Sequence, residues 1–335
     1  MTIRQRQIGP FNLSAVVLGC MNLNHAYGVA PPEEEAGKLL NHALDLGVNM
    51  LDTAALYGFG KNEPLLAKYV GHRRDEYILA SKCVLDVYDG ERGLNGHPDA
   101  IAGTLDRALK RLNTDHIDLY YLHRLDKNVP VEESVGALVR AKEAGKIGHI
   151  GLSEMSAATI RRAHAEHPVA MIQSEYSPCV RNPEIAVLDL CAELDIGFLA
   201  FSPTVRGFLA DAVHDDSYEK GDIRSFMPRF VEPDLSHNLK AAARFNALAA
   251  DIGLPPAQLA IAWVLARRPF IGALPGTRSI AHLEEDIGAA AVTLSAETIA
   301  TVEEIFSGDA ITGPRYSAAM QKHIDTETFA DEQLA

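Results

Sequence analysis

Short apolar runs alternate with amphipathic stretches from the N-terminus almost to the end of the chain. Runs near 15–19, 48–52, 77–82, 117–122, 147–152, 170–174, 196–201 and 270–274 have the length of buried strands. Between them, helical spacing of apolar residues covers about 33–46, 62–70, 98–112, 131–144, 156–166, 183–194, 237–252 with 256–267, and 279–288. Pro98-Asp99 and Pro183-Glu184 put proline and acid in first turns, and Gly47, Gly145 and Gly253 stand where helices stop. Repeated strand–helix alternation without a change in composition predicts a parallel α/β architecture. Eight such units favour a closed (β/α)8 TIM barrel over an open doubly wound sheet, with residues 1–335 forming one domain.

Three stretches exceed the basic barrel. Residues 2–13 read as a hairpin turning at Gly9-Pro10 and sealing the lower end. Residues 205–236, with Gly207, Gly221, Pro228 and Pro233, make a long irregular insertion after the seventh strand. It lies on the strand-end side, which predicts a wall or lid of the site. Residues 307–335 form a tail after a last helix near 295–306.

Composition narrows the partners. Acids outnumber bases 45 to 31, a net charge of −14, which argues against nucleic acid or an anionic membrane but leaves room for a local phosphate pocket. The first residues are polar and no apolar run approaches the ~18 residues of a membrane span, so the expected location is cytoplasmic. Cys20, Cys83, Cys179 and Cys191 form no CxxC pair and fit reduced thiols. His164 and His167 lack a third ligand nearby, and no metal is expected.

The strand ends carry the chemistry. Val48 to Leu51 runs directly into Asp52, with Tyr57 five positions later. Lys82 ends the next run and His123 the one after that. A buried acid needs a partner or a task, and core packing does not explain four proton-transfer groups at successive strand ends. In a barrel these ends share one mouth. Lys82 near Tyr57 would favour tyrosinate and lower the phenol pKa, while Asp52 braces Lys82. His123 would hydrogen-bond a carbonyl oxygen or modulate the tyrosine.

With these residues the chain resembles the aldo-keto reductases, NAD(P)H-dependent carbonyl reductases on a (β/α)8 barrel. The resemblance runs through Leu18-Gly19-Cys20-Met21, Asp52-Thr53-Ala54-Ala55-Leu56-Tyr57-Gly58, Ser81-Lys82 and His123-Arg124. It continues through Gly151-Leu152-Ser153-Glu154, Gln173-Ser174-Glu175-Tyr176-Ser177 and Phe201-Ser202-Pro203-Thr204-Val205-Arg206-Gly207. Pro275-Gly276-Thr277-Arg278 and His282-Leu283-Glu284-Glu285-Asp286 complete it. The likeness is greatest to the bacterial branch with a long loop after strand 7, here with Pro228-Arg229-Phe230, and a tail like Arg315-Tyr316-Ser317-Ala318-Ala319.

The resemblance implies that Tyr57 is the proton donor, tuned by Asp52 and Lys82, and that His123 orients the carbonyl. It also implies a cofactor site. Gly19, Met21 and Asp52 lie at its start, and Ser153, Glu154 and Gln173 match the region that binds the nicotinamide carboxamide. Phe201 matches the residue stacked on the nicotinamide, and Ser202, Pro203, Thr204, Arg206 and Gly207 match the pyrophosphate loop. Gly276, Thr277, Arg278 and His282 match the segment around the adenosine ribose and its 2′-phosphate, and Glu285 and Asp286 match the adenine contacts. Three positions depart from the usual pattern: Glu154 and Asp286 stand where asparagine is frequent, and Phe201 replaces a tyrosine. Arg278, with help from His282, suits a phosphate dianion and favours NADPH/NADP+ over NADH.

The expected function is therefore NADPH-dependent reduction of an aldehyde or ketone, with Tyr57 as proton donor. A small-molecule carbonyl compound is the expected partner. The alternatives are an NAD(P)+-dependent sugar or secondary-alcohol dehydrogenase and, from another class, a cofactor-binding regulatory subunit. Met21, Asn22, Tyr27, Leu56, Tyr88, Arg124, the 205–236 insertion and the tail are the expected substrate walls. The sequence leaves the oligomeric state open.

Overall fold

The computed structural model describes residues 3–24, 26–88 and 90–335. A β-hairpin comes first, β1 (Gln5–Ile8) and β2 (Phe11–Ser14). The barrel strands are β3 (Leu18–Gly19), β4 (Met50–Asp52), β5 (Ile78–Cys83), β8 (Ile117–Leu122), β9 (Ile147–Ser153), β10 (Met171–Glu175), β11 (Gly197–Phe201) and β12 (Ile271–Leu274). Between β5 and β8 stands a second hairpin, β6 (Leu85–Tyr88) and β7 (Glu91–Leu94). The helices are α1 (Glu33–Asp45), α2 (Asn62–Val70), α3 (Pro98–Leu112), α4 (Val131–Glu143), α5 (Ala157–Glu166) and α6 (Val187–Glu193), followed by α7 (Asp234–Asp251), α8 (Pro256–Arg267), α9 (Ile280–Gly288), α10 (Ala296–Ile305) and α11 (Ala318–Gln321).

Among the described residues, eight parallel strands run in the order β12-β11-β10-β9-β8-β5-β4-β3. The ends of that order meet. Val16 bridges Ala273 in parallel, Val17 N donates to Ala273 O and Ala273 N to Ala15 O, each at 2.9 Å. The predicted (β/α)8 barrel is thus what the chain forms.

Strand pleat explains where polar groups collect. Side chains two residues apart share a face, so Met50 and Asp52, Ala80 and Lys82, Tyr121 and His123, and Met171 and Gln173 stack in pairs inside the barrel. The lower member of each pair is apolar or aromatic. Met50, Ala80, Leu119, Tyr121, Met171 and Leu199 pack there with Ile8, Phe11 and Leu13 of the hairpin. The upper layer is left for chemistry.

The N-terminal hairpin plugs the lower end as expected, with Ile8 opposite Phe11 across Gly9-Pro10. Gly9 has φ +55°, and a Cβ there would stand 2.4 Å from Ala170 O, so the turn can approach the barrel floor only as glycine. A larger core lies outside the strands, where Leu51, Leu79, Ile117 and Ile150 meet Leu40, Leu66, Leu105 and Leu138 of the surrounding helices.

Two details differ from the sequence expectation. The β6–β7 hairpin folds from a stretch assigned no strand, although Asp-Gly at 89–90 between alternating residues is a hairpin signal. The 205–236 insertion is partly ordered into helix, since α7 begins at Asp234. Among the described residues no single helix is long and apolar enough to cross a membrane; α7 and α8 reach that length only together, as a pair bent by 90°.

Candidate active site

At the upper end Asp52, Lys82, Tyr57 and His123 come together. Lys82 Nζ is fully buried and donates to an Asp52 carboxylate oxygen, to Thr53 O at 2.8 Å and to the Tyr57 hydroxyl at 3.2 Å. The other Asp52 oxygen accepts from Gln173 Nε2 at 2.8 Å, which crosses the barrel from β10. Tyr57 sits in a 3-10 turn after β4, and its ring meets the His123 ring edge-on, with centroids 5.7 Å apart. Thr53 and Asn62 pin that turn. Thr53 Oγ1 donates to Asn62 Oδ1 at 2.5 Å, and Asn62 Nδ2 donates to Cys20 O at 2.9 Å.

Electrostatics refines one sequence expectation. Lys82 does pull the Tyr57 phenol down, but burial pushes it up more strongly, and the net direction is above the ordinary tyrosine value. Burial likewise raises Asp52 against the pull of Lys82. Burial would depress the Lys82 ammonium, yet Asp52 and Tyr57 together hold it above its usual value. The phenol therefore rests protonated beside a fixed cation, an arrangement suited to giving up a proton and stabilising the anion left behind.

These groups form one end of a cleft of about 770 Å³. Gly19, Met21, Asp52, Ser153, Gln173, Phe201, Ser202, Pro203, Thr204, Arg206 and Gly207 all line it, as do Gly276, Thr277, Arg278, His282, Glu285 and Asp286. Lys82 lies beneath the lining, reached through Tyr57 and Asp52. Ser202, Val205, Arg206 and Gly207 have positive φ, so the loop after β11 turns sharply along the cleft wall. Phe201 ends β11 beside it. Asp286 is buried, and burial followed by the neighbouring Glu285 raises its carboxyl to about 8. At neutral pH it is a neutral acid, close in hydrogen-bonding character to the asparagine it replaces.

Two loops clasp over the cleft. Ile223 N donates to Ala26 O and Val29 N to Glu219 Oε2, both at 2.9 Å. Arg278 Nη1 donates to Tyr27 O at 2.9 Å and to Val29 O at 2.5 Å. Gly28 between them has φ +67°, a left-handed conformation that favours glycine. The insertion is therefore a wall of the site, joined to the loop after β3.

Glu154 stands outside the cleft lining. Its Oε1 accepts from Glu175 N and its Oε2 from Arg315, each at 2.8 Å. This carboxylate is committed to the tail and does not face the space a carboxamide would enter. Glu175 is the centre of the same buried network, pairing with Arg206 and accepting from the Tyr316 hydroxyl at 2.9 Å. Arg315 lies 3.9 Å from it. Arg206, expected on the pyrophosphate, thus already has a buried carboxylate partner. Tyr88 does not line the cleft; its hydroxyl donates to Val84 O at 2.9 Å, within its own hairpin.

Sequence reasoning missed Arg92, Asn62, Glu175 and Tyr316. Glu175 ends a buried strand as Asp52 does, and that position is its signal in the sequence. Arg92 reaches the cleft only through the β6–β7 hairpin.

Comparison with known proteins gives the class. Residues 15–307 match the Aldo/keto reductase family. The Schizosaccharomyces pombe aldo-keto reductase yakc, whose name specifies NADP(+), is 40% identical over 337 residues, covering 98% of each chain. Among solved structures, a glycerol dehydrogenase of Gluconobacter oxydans superposes with a TM-score of 0.81 at 25% identity, covering 99% of both chains. An aldo-keto reductase of Bacillus halodurans, in its holo form, gives 0.74 at 26% identity over 90% of this chain and 96% of that one. The chain belongs to the aldo/keto reductase family. It is an NAD(P)H-linked oxidoreductase acting on carbonyl or alcohol groups.

Proposed function

We propose that residues 1–335 work as one unit that reduces an aldehyde or ketone with NADPH, Tyr57 giving the proton. The observation that carries this is the buried Asp52–Lys82–Tyr57 chain ending beside His123 at one end of a long cleft. The rest of the cleft fits a dinucleotide. Phe201 offers an aromatic face, the positive-φ turn over Val205 to Gly207 bends the backbone around the cleft wall, and Arg278 offers a cation for a 2′-phosphate. The NADP(+) in the name of the S. pombe relative supports the same preference.

When bound, the nicotinamide supplies hydride to the carbonyl carbon. The chain does the remainder. His123 orients the carbonyl oxygen, and Tyr57 Oη passes its proton to that oxygen as negative charge develops. The Lys82 ammonium, 3.2 Å away, stabilises the tyrosinate, and Asp52 and Gln173 keep Lys82 in place. Burial of Tyr57 keeps the proton on the phenol until an acceptor arrives.

NADPH oxidation with a panel of aldehydes and ketones, followed by nicotinamide absorbance, tests this proposal. Turnover is expected in wild type and absent in Tyr57→Phe; normal turnover in that variant would sink the mechanism. The reverse reading, oxidation of a polyol or secondary alcohol, draws support from the glycerol dehydrogenase among the structural relatives. A protonated Tyr57 is the form competent to serve the reductive direction.

A further inference from the structure

Two arginines share the reacting end of the cleft. Arg124 follows His123 directly, and Arg92 arrives from β7; both line the cleft with Tyr57 and His123. Arg124 is positioned by one nitrogen, which donates to His123 O at 2.6 Å and to Ser153 Oγ at 3.2 Å. Among the described residues neither guanidinium forms an ion pair. Arg107, Arg111 and Arg315, by contrast, each hold a carboxylate.

Other cations stand close to them. Partial burial and then the charge of Arg124 lower the Arg92 guanidinium, so the two are near enough to repel. Burial, then Arg92, Arg124, Lys127 and Lys322, depress the His323 imidazole in the adjoining tail. The acids that line the cleft do not answer this cluster. Asp52 is bonded to Lys82 and Gln173, and Asp211, Glu285 and Asp286 come from the insertion and α9. In a chain of net charge −14, two guanidinium groups with no carboxylate partner among the described residues make a local positive patch beside the proton donor, suited to an anion. The cofactor phosphates do not account for it, because the segment suited to them is 276–286 and the loop after β11.

We propose that the substrate is a carbonyl compound bearing an anionic oxygen group, a carboxylate or a phosphate, which Arg92 and Arg124 receive while Tyr57 and His123 meet the carbonyl. This rests on the reductase reading of the cleft. Planar guanidinium forks bind such groups through paired charge-assisted hydrogen bonds, and an uncharged analogue leaves both unpaired. Arg124, tethered beside His123, fixes the distance between anion and carbonyl. Arg92, on the hairpin, supplies the second guanidinium.

Matched aldehydes test the inference: 4-carboxybenzaldehyde against methyl 4-formylbenzoate, and glyceraldehyde 3-phosphate against glyceraldehyde. Wild type is expected to prefer the anion by about tenfold or more in kcat/KM in at least one pair, and the pair that shows it distinguishes carboxylate from phosphate. Arg92→Gln and Arg124→Gln should each shrink the preference, chiefly by raising KM for the anion, and added salt should do the same. Melting temperature controls for folding, and Arg92, at an exposed hairpin position, is the safer of the two. Equal or better turnover of the neutral member in both pairs overturns the inference while the reductase reading stands. No turnover of any aldehyde, neutral ones included, overturns both.

Discussion

Lys82 Nζ lies 3.2 Å from the Tyr57 hydroxyl; the lysine is fully buried and the tyrosine largely so, at the floor of the cleft. Proximity alone would make the phenol more acidic. Burial outweighs it, because a tyrosinate loses hydration when enclosed. In the mechanism proposed above, the lysine acts on the state after proton transfer, when a positive charge is most valuable.

A pH consequence follows from that balance. With the Tyr57 phenol above its ordinary value of about 10, reduction should not lose rate to this group through neutral pH. It should fall as pH rises through the raised pKa, and the oxidative direction should gain there. Tyr57→Phe should cost at least about 10²–10⁴-fold in kcat, with cofactor affinity by fluorescence titration little changed. A reductive rate that climbs above pH 8 would contradict this.

Arg278 has a second task. It ties the loop at Tyr27 and Val29 across the cleft, besides the 2′-phosphate contact proposed for it above. Arg278→Ala should weaken NADPH by about 10–100-fold, the worth of one or two charge-assisted hydrogen bonds, and NADH far less. Equal wild-type affinities for the two reduced cofactors would remove the basis for the preference.

The Glu175 hub predicts acid sensitivity. Burial would raise this carboxyl, but Arg206 and Arg315 reverse that and hold it at about 2, against 4.5 for an ordinary glutamate. Its stabilisation is complete above about pH 4.5 and is lost as pH falls toward about 2. Glu175→Gln leaves Arg206 without its carboxylate and should cost about 3–5 kcal/mol in denaturant unfolding at pH 7. The same variant should flatten the acid limb of stability against pH.

Asp286 runs the opposite way. An unfolded aspartate ionises near 3.8 and this one at about 8, so between those values the folded chain keeps a proton the unfolded chain has lost. Stability falls across that window as pH rises. Asp286→Asn should therefore raise Tm, with the gain largest at and above about pH 8 and absent below about 4. Calorimetry at pH 4 and pH 8.5 separates this from a general packing effect.

Much of this was visible in the linear chain. The apolar runs predicted the eight barrel strands, and the hairpin at Gly9-Pro10 was placed where it forms. The polar residues ending those runs, Asp52, Lys82 and His123, meet as their positions imply, because a parallel barrel brings its strand ends to one rim. The β6–β7 hairpin and Arg92 were not found, since a short excursion between two strands leaves little periodicity to detect. Glu154 was assigned by motif position, and only its bond to Arg315, 161 residues away, reveals where its carboxylate is spent.

The sequence by itself determined the alternation of strands and helices and which side chains end each strand, because pleat and helical period are local properties. The tertiary structure alone decided the signs of the electrostatic balances: Tyr57 held up, Glu175 held down, Asp286 neutral, Arg92 beside Arg124. Each depends on desolvation and on partners distant in the chain, and neither exists until the barrel closes.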